Sequence, residues 1–165
     1  MSDTCPCLTC PDLLVEDIYS PVHALRLELV RRRGAEFWWL MLTKCKECSQ
    51  HWLLAQEERL NDIYVYKRLS GDDAKSILAT DQWPSQLHRY EELLEIGQAH
   101  GFAARYGEPL EMWPIAVDLL GQRPSLSAAD FARLGNIDEE SAEQVLLDAR
   151  RKLEEHGYPY PWRPA

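Results

Sequence analysis

Hydrophobic positions in the first seventy residues recur mainly every second residue. From His23 to Val30, Leu25, Leu27 and Leu29 alternate with Ala24, Arg26 and Glu28, the pattern of a strand with one buried face. Arg31-Arg32-Arg33-Gly34 reads as a turn, and the aromatic-rich stretch Glu36 to Thr43 as the antiparallel return strand. His51 to Gln56 and Ile63 to Leu69 predict a second hairpin across the polar turn 57–62. Beyond Ser70 the spacing changes to three and four. Ser70 or Asp72 can cap a short helix that ends at Trp83-Pro84, because the residue before proline resists helical geometry. Pro84 suits the first position of a second helix, with Leu87, Tyr90, Leu93, Leu94 and Gly97 on one face and Gly101 as its stop. Trp113-Pro114 opens a third helix, closed by Gly121, and Ser127-x-x-Asp130 looks like the cap of a fourth. Asp138 opens the longest helix, with Ala142, Val145, Leu146, Ala149 and Leu153 on its apolar side and Gly157 at its end. The tail from Tyr158 onward is rich in proline and aromatic residues and reads as extended.

The change of period predicts an α+β protein: an N-terminal antiparallel β unit over residues 1–70, and a helical part over 71–165 packed on it. Hydrophobic residues form 45% of the 165-residue chain, enough for a buried core and too many for a disordered polypeptide. No apolar run approaches the roughly 18 residues that a membrane-spanning helix needs. The first residues lack the basic start and apolar stretch of a secretory signal, which predicts a cytoplasmic address, where paired cysteines more often hold metal than form disulfides.

Charge separates the halves further. Residues 1–70 carry ten acidic and nine basic side chains, net −1, and residues 71–165 carry seventeen and nine, net −8. A net charge of −9 repels a phosphate backbone over most of the surface and favours a basic partner.

Cysteines carry the strongest chemical signal. Cys7-Leu8-Thr9-Cys10 and Cys45-Lys46-Glu47-Cys48 are two Cys-x-x-Cys pairs, 34 residues apart, and the first predicted hairpin fills that gap. Two intervening residues let both thiolates of a pair reach one metal from a tight turn, and two pairs complete a tetrahedral all-cysteine site suited to zinc. Such a site has no open position for an activated water, so one Zn2+ per chain, held by Cys7, Cys10, Cys45 and Cys48, is expected to be structural. Cys5 is left over as a spare thiol or a substitute ligand, and His23 and His51 are alternative fourth ligands. No βαβ pattern surrounds either pair, which disfavours a thioredoxin-like redox site.

Over residues 5–69 this layout resembles the zinc ribbon family. In that family two knuckles at the ends of β-hairpins grip one metal, and an aromatic residue often follows the second pair, as Trp52 does here. The resemblance implies metal binding and leaves function open. The glycine common after the second pair is Ser49 in this chain.

Two features bear on nucleic acid. Arg31, Arg32 and Arg33 with Lys44, Lys46, Lys67 and Arg68 could form a basic face beside Trp38, Trp39, Trp52, Tyr64 and Tyr66, although a sheet core needs those same rings. Leu134-Gly135-Asn136-Ile137-Asp138 resembles a degenerate helix-hairpin-helix motif, with Asp138 where the family has its last glycine, and that carboxylate would repel phosphate. Catalytic motifs such as Gly-x-Ser-x-Gly, a phosphate loop or His-Glu-x-x-His are missing, while His88, Glu91 and Glu92 within one helical turn read as a solvated face. The sequence therefore points to a non-enzymatic, zinc-stabilised protein-binding protein, an adaptor or inhibitor. One concrete form is a bacterial immunity protein that neutralises a basic toxin. The alternative is a nucleic-acid-binding or transcription-associated zinc ribbon that uses Arg31–Arg33. Neither reading involves a membrane.

Overall fold

The computed structural model of the chain describes residues 5–23, 25–102 and 108–159. The architecture is α+β, with an antiparallel sheet in the N-terminal part and helices after it. Five strands, β1 (Leu13–Asp17), β2 (Leu27–Arg32), β3 (Leu40–Cys45), β4 (His51–Glu57) and β5 (Ile63–Arg68), pair in the order β1-β5-β4-β3-β2. Strands β2 to β5 form a meander, and β1 returns to the far edge to pair with β5 through Leu13↔Lys67 to Asp17↔Ile63.

Alternation gives the two sheet faces different contents. One face carries Leu40, Leu42, Leu53, Ala55, Ile63 and Val65, all fully buried. The other carries Leu14, Thr43, Cys45, Trp52 and Tyr66 at its buried end and Leu54, Gln56 and Tyr64 in partial exposure. Of the rings offered above as stacking surfaces, Trp39 and Trp52 are fully buried and Tyr66 nearly so, in keeping with their use as core.

Several boundaries differ from the sequence expectations for identifiable reasons. Strand β1 was not expected: its inward positions are Leu14 and Glu16, and a buried carboxylate breaks the apolar alternation that would mark it. Strand β2 begins later and runs on through Arg31 and Arg32, where a bulge between Leu29 and Arg31 shifts the register, so the arginines are strand rather than turn. A 310 turn, Ala35–Phe37, makes the connection to β3.

The first helix, α1 (Gly71–Thr80), is capped by Ser70, whose side chain accepts the Asp73 N–H. It stops at Asp81, which takes a left-handed conformation with φ 56°. The second, α2 (Tyr90–Ala99), starts six residues after Pro84. Leu87 explains the delay: it holds φ 62°, and its carbonyl accepts the indole N–H of buried Trp39 at 2.8 Å. Helix α3 (Trp113–Gln122) opens with Pro114 in its first turn and continues one residue past Gly121. Ser127 caps α4 (Ala128–Gly135) and Asp138 caps α5 (Glu139–His156), which ends at Gly157 with φ 76°.

The chain divides into two compact units. One runs as far as His88, apart from residues 59–61; the other holds Arg59–Asn61 and the chain from Arg89 onward. The division thus falls at His88 rather than residue 70, because α1 belongs with the sheet: Arg31 donates to the Ile77 carbonyl at 2.9 Å and pairs with Asp81 at 3.4 Å. In the helical unit, Leu93, Leu94, Ile115, Leu119, Phe131, Leu134, Val145 and Leu146 are buried, and Arg123 joins Glu91 at 2.5 Å to Asp130 at 2.6 Å. The partly buried Tyr158 packs on α3 at Gly121, where an added Cβ would lie within 2.6 Å of its ring. The remainder of the expected tail, residues 160–165, lies outside the described residues.

Candidate metal centre

Two loops meet at the buried end of the second sheet face. The first is Cys5-Pro6-Cys7-Leu8, a single 310 turn over Pro6–Leu8 with proline in its first position. It is closed by Leu8 N–H to the Cys5 carbonyl at 3.0 Å and Thr9 N–H to the Pro6 carbonyl at 3.1 Å. The second is the turn between β3 and β4. Cys45 ends β3, the Glu47 N–H points at the Cys45 sulfur at 3.4 Å, and the Ser49 N–H donates to the Cys45 carbonyl at 3.0 Å. Ser49 holds φ 64°, so the position where a zinc ribbon commonly has glycine keeps the left-handed backbone that glycine would supply.

The sulfurs of Cys5, Cys7, Cys45 and Cys48 all lie within 4.8 Å of one another, with Cys5 and Cys45 3.6 Å apart. A tetrahedral zinc with bonds of about 2.3 Å sets its sulfurs about 3.8 Å apart, so the group is close to the size such an ion requires. Cys5, Cys7 and Cys45 are buried and Cys48 is exposed.

Of the four cysteines expected to bind metal, the structure thus brings Cys7, Cys45 and Cys48 together. The fourth sulfur belongs to Cys5; Cys10 lies outside the group. Pro6 supplies the physical reason. It starts the turn directly after Cys5, so Cys5 and Cys7 flank one tight bend, while Cys10, whose N–H donates to the Pro6 carbonyl at 3.2 Å, keeps its sulfur outside the group. The Cys10 thiol is raised by burial, with smaller and opposed effects from Glu16 and Arg68. The histidines offered as substitutes are likewise elsewhere: His23 pairs with Glu16 at 2.7 Å, and His51 begins β4 opposite Lys44.

The electrostatics fit a cation. Burial pushes the Cys5 thiol up to about 11 and the Cys7 thiol well above its ordinary range. Burial also acts on Cys45, but the N–H groups of Cys48 and Glu47 and the thiols of Cys5 and Cys7 outweigh it and hold Cys45 down at about 7. Without a metal, then, the cluster stabilises one thiolate and keeps its buried neighbours neutral. Four thiolates at this spacing require a positive ion among them. A further sign is the indole N–H of fully buried Trp52, which acts on Cys7 to favour its charged form. It suits a thiolate there better than a thiol.

Arg68 and Trp52 hold the first loop on the sheet. The Arg68 guanidinium donates to the carbonyls of Cys7 at 2.7 Å and Cys10 at 2.8 Å, pairs with Asp12 at 3.1 Å, and lies 4.5 Å from the Trp52 ring. Neither role shows in the cysteine spacing.

The remaining candidates are engaged within their own units. Arg31 is tied to α1 and Arg32 donates to the Met41 sulfur at 3.3 Å. Arg33 stacks over Phe37 at 4.2 Å and contacts His88 at 3.2 Å. Asp138 accepts the Ser141 N–H at 2.8 Å as the cap of α5, which places a carboxylate where the helix-hairpin-helix resemblance would need a phosphate. Glu91 is held by Arg123. No described helix is long and apolar enough to cross a membrane. Comparison with protein-family models, with curated proteins and with solved structures finds no significant match to this chain.

Proposed function

We propose that this chain is a non-enzymatic protein-binding protein whose sheet unit is fixed by one structural Zn2+ on Cys5, Cys7, Cys45 and Cys48. The observation that carries the metal part is the convergence of four sulfurs from loops 40 residues apart in sequence, three of them buried. Four protein ligands complete a tetrahedral shell, leaving the ion no position for a substrate or an activated water. The metal's contribution is then to folding.

The protein-binding part rests on charge. The chain is acidic by nine units, and α5 exposes Asp138, Glu139, Glu140, Glu143, Glu154 and Glu155, with Leu147 54% exposed among them. Such a surface speeds encounter with a basic partner and offers an apolar contact once the two meet. An adaptor or an inhibitor of a basic protein fits it; a cytoplasmic bacterial immunity protein against a basic toxin is the most specific form of that reading.

The test has two parts. Purified protein should carry about one zinc per chain and lose its thermal transition on strong chelation. A partner captured from the native host should be basic, and reversing Glu139, Glu140 and Glu143 to lysine should slow its association without changing zinc content. An acidic partner, or an association rate indifferent to salt, defeats the electrostatic part.

A further inference from the structure

The four clustered sulfurs do not share one environment. Cys5, Cys7 and Cys45 are buried, while Cys48 is exposed on the turn 46–49, every residue of which is exposed. Cys10 is buried as well, so Cys48 is the one cysteine of the chain that solvent reaches. Its turn carries the exposed Lys46, and the charge of Glu47 there is taken up by Arg26 at 3.2 Å. Cationic neighbours and access to solvent are what make a thiolate reactive.

A second sulfur stands in the same turn. Cys45 lies three residues before Cys48, and their sulfurs are within 4.8 Å of each other. The Glu47 N–H points at the Cys45 sulfur at 3.4 Å, a contact that favours its thiolate. Cys5 and Cys7 belong to the other loop, where burial shields both from direct attack. An exposed thiolate beside a resolving sulfur is the arrangement that reversible thiol oxidation requires.

The geometry points to Cys48 as an oxidation site at which hydrogen peroxide opens the metal centre, with Cys45 as the resolving sulfur. The inference rests on the reading of the cluster as a zinc site and adds a means of regulating it. The Cys48 thiolate attacks one peroxide oxygen. An S–O bond forms, the O–O bond breaks and hydroxide leaves, so the sulfur is oxidised by two electrons to a sulfenic acid and the peroxide is reduced. The Cys45 thiolate then attacks the Cys48 sulfur. An S–S bond forms, the S–O bond breaks and a second hydroxide leaves; both hydroxides take up protons as water. Thiolates, not disulfides, bind metal, so Cys5 and Cys7 remain as half a shell and the ion is released. Reduction of the disulfide by an external thiol restores the set of four.

The test treats the zinc-loaded full chain with hydrogen peroxide, reads zinc release with a colorimetric chelator and maps disulfides by peptide mass. Zinc should leave about tenfold faster than from the untreated chain, with about one disulfide formed per ion. Cys45–Cys48 should be the predominant bond, and Cys5, Cys7 and Cys10 should remain open to alkylation after unfolding. Cys10→Ser, outside the group, should release zinc at the parent rate. Cys48→His keeps a nitrogen ligand, since zinc accepts three cysteines and a histidine, and should slow the release about tenfold. If that variant fails to load, the disulfide map of the parent decides. A disulfide that omits Cys48, or zinc retained under peroxide, overturns the assignment and leaves the metal reading standing. A chain that takes up no zinc overturns the metal reading and the release with it. In that chain a Cys45–Cys48 bond formed by peroxide keeps the oxidation site, and its absence removes the site too.

Discussion

Replacing Cys5 and Cys10 separately by serine decides which sulfur completes the metal shell. Structural zinc binds small domains with an apparent free energy of about 10–16 kcal/mol, so each of four sulfurs accounts for roughly 3 kcal/mol. A serine hydroxyl at position 5 keeps the size of the side chain and supplies a poor ligand. Cys5 sits 3.6 Å from Cys45 inside the sulfur group, and its loss should weaken zinc binding about 100-fold or more. Cys10 is also buried, at 7% exposure, so Cys10→Ser places a hydroxyl in a desolvated position and should cost about 1–2 kcal/mol of unfolding stability. It belongs to no ligand set, however, and the zinc dissociation constant should stay within about threefold of the parent. Competition against a colorimetric chelator of known affinity measures the first quantity, and thermal unfolding of the zinc-loaded proteins measures the second. If Cys10→Ser loses zinc as Cys5→Ser does, or if Cys5→Ser keeps the parent affinity, the geometry of the first loop has been misread.

Zinc uptake should release protons, because burial holds Cys5 and Cys7 neutral near neutral pH and both must ionise to bind. Cys45 is depressed to about 7 from an ordinary value near 9; in the metal-free fold its contribution to stability is therefore present above pH 9 and lost as pH falls through 7. Between pH 8 and pH 6 the protons released per zinc should accordingly rise by about one, read by calorimetry in buffers of different ionisation enthalpy. Ser49→Gly should raise stability by up to about 1 kcal/mol, since Ser49 is exposed and holds a left-handed backbone that glycine adopts without penalty; an unchanged or lowered denaturant midpoint counts against this. Gly121→Ala should cost about 1–3 kcal/mol, because its Cβ meets the Tyr158 ring, and removing residues 158–165 together with that change should recover part of the loss.

Much of this fold is legible in the chain itself. Strands β4 and β5 fall where the second hairpin was expected, and Ser70, Ser127 and Asp138 cap the helices they were expected to cap, because a cap is a local interaction complete within four residues. What is not legible depends on contacts distant in sequence. Leu87 delays α2 by giving its carbonyl to Trp39, 48 positions away. Strand β1 is hidden by Glu16, whose burial makes sense only once its pairing with His23 is seen. At the metal centre, the repeated Cys-x-x-Cys spacing points to Cys10, yet the bend imposed by Pro6 favours the shorter Cys-Pro-Cys step. Regular spacing was a weaker guide there than the conformation of one proline.

The attachment of β1 has a consequence for self-association. The strand is five residues long and stands at the sheet edge, shortly after the cysteine loop that the metal would lock to the β3–β4 turn. A zinc ion on Cys5 and Cys45 closes a loop of about 40 residues, a cross-link that removes about 4 kcal/mol of chain entropy from the unfolded state on the scale used for disulfides. Without it, the Arg68 contacts and the β1 ladder alone keep β5 covered. Metal loss would then free the N-terminal strand to peel away and bare a row of unpaired backbone groups along Ile63–Arg68, a template for the β1 of another copy. An ion held by this cluster would thus guard the chain against strand exchange.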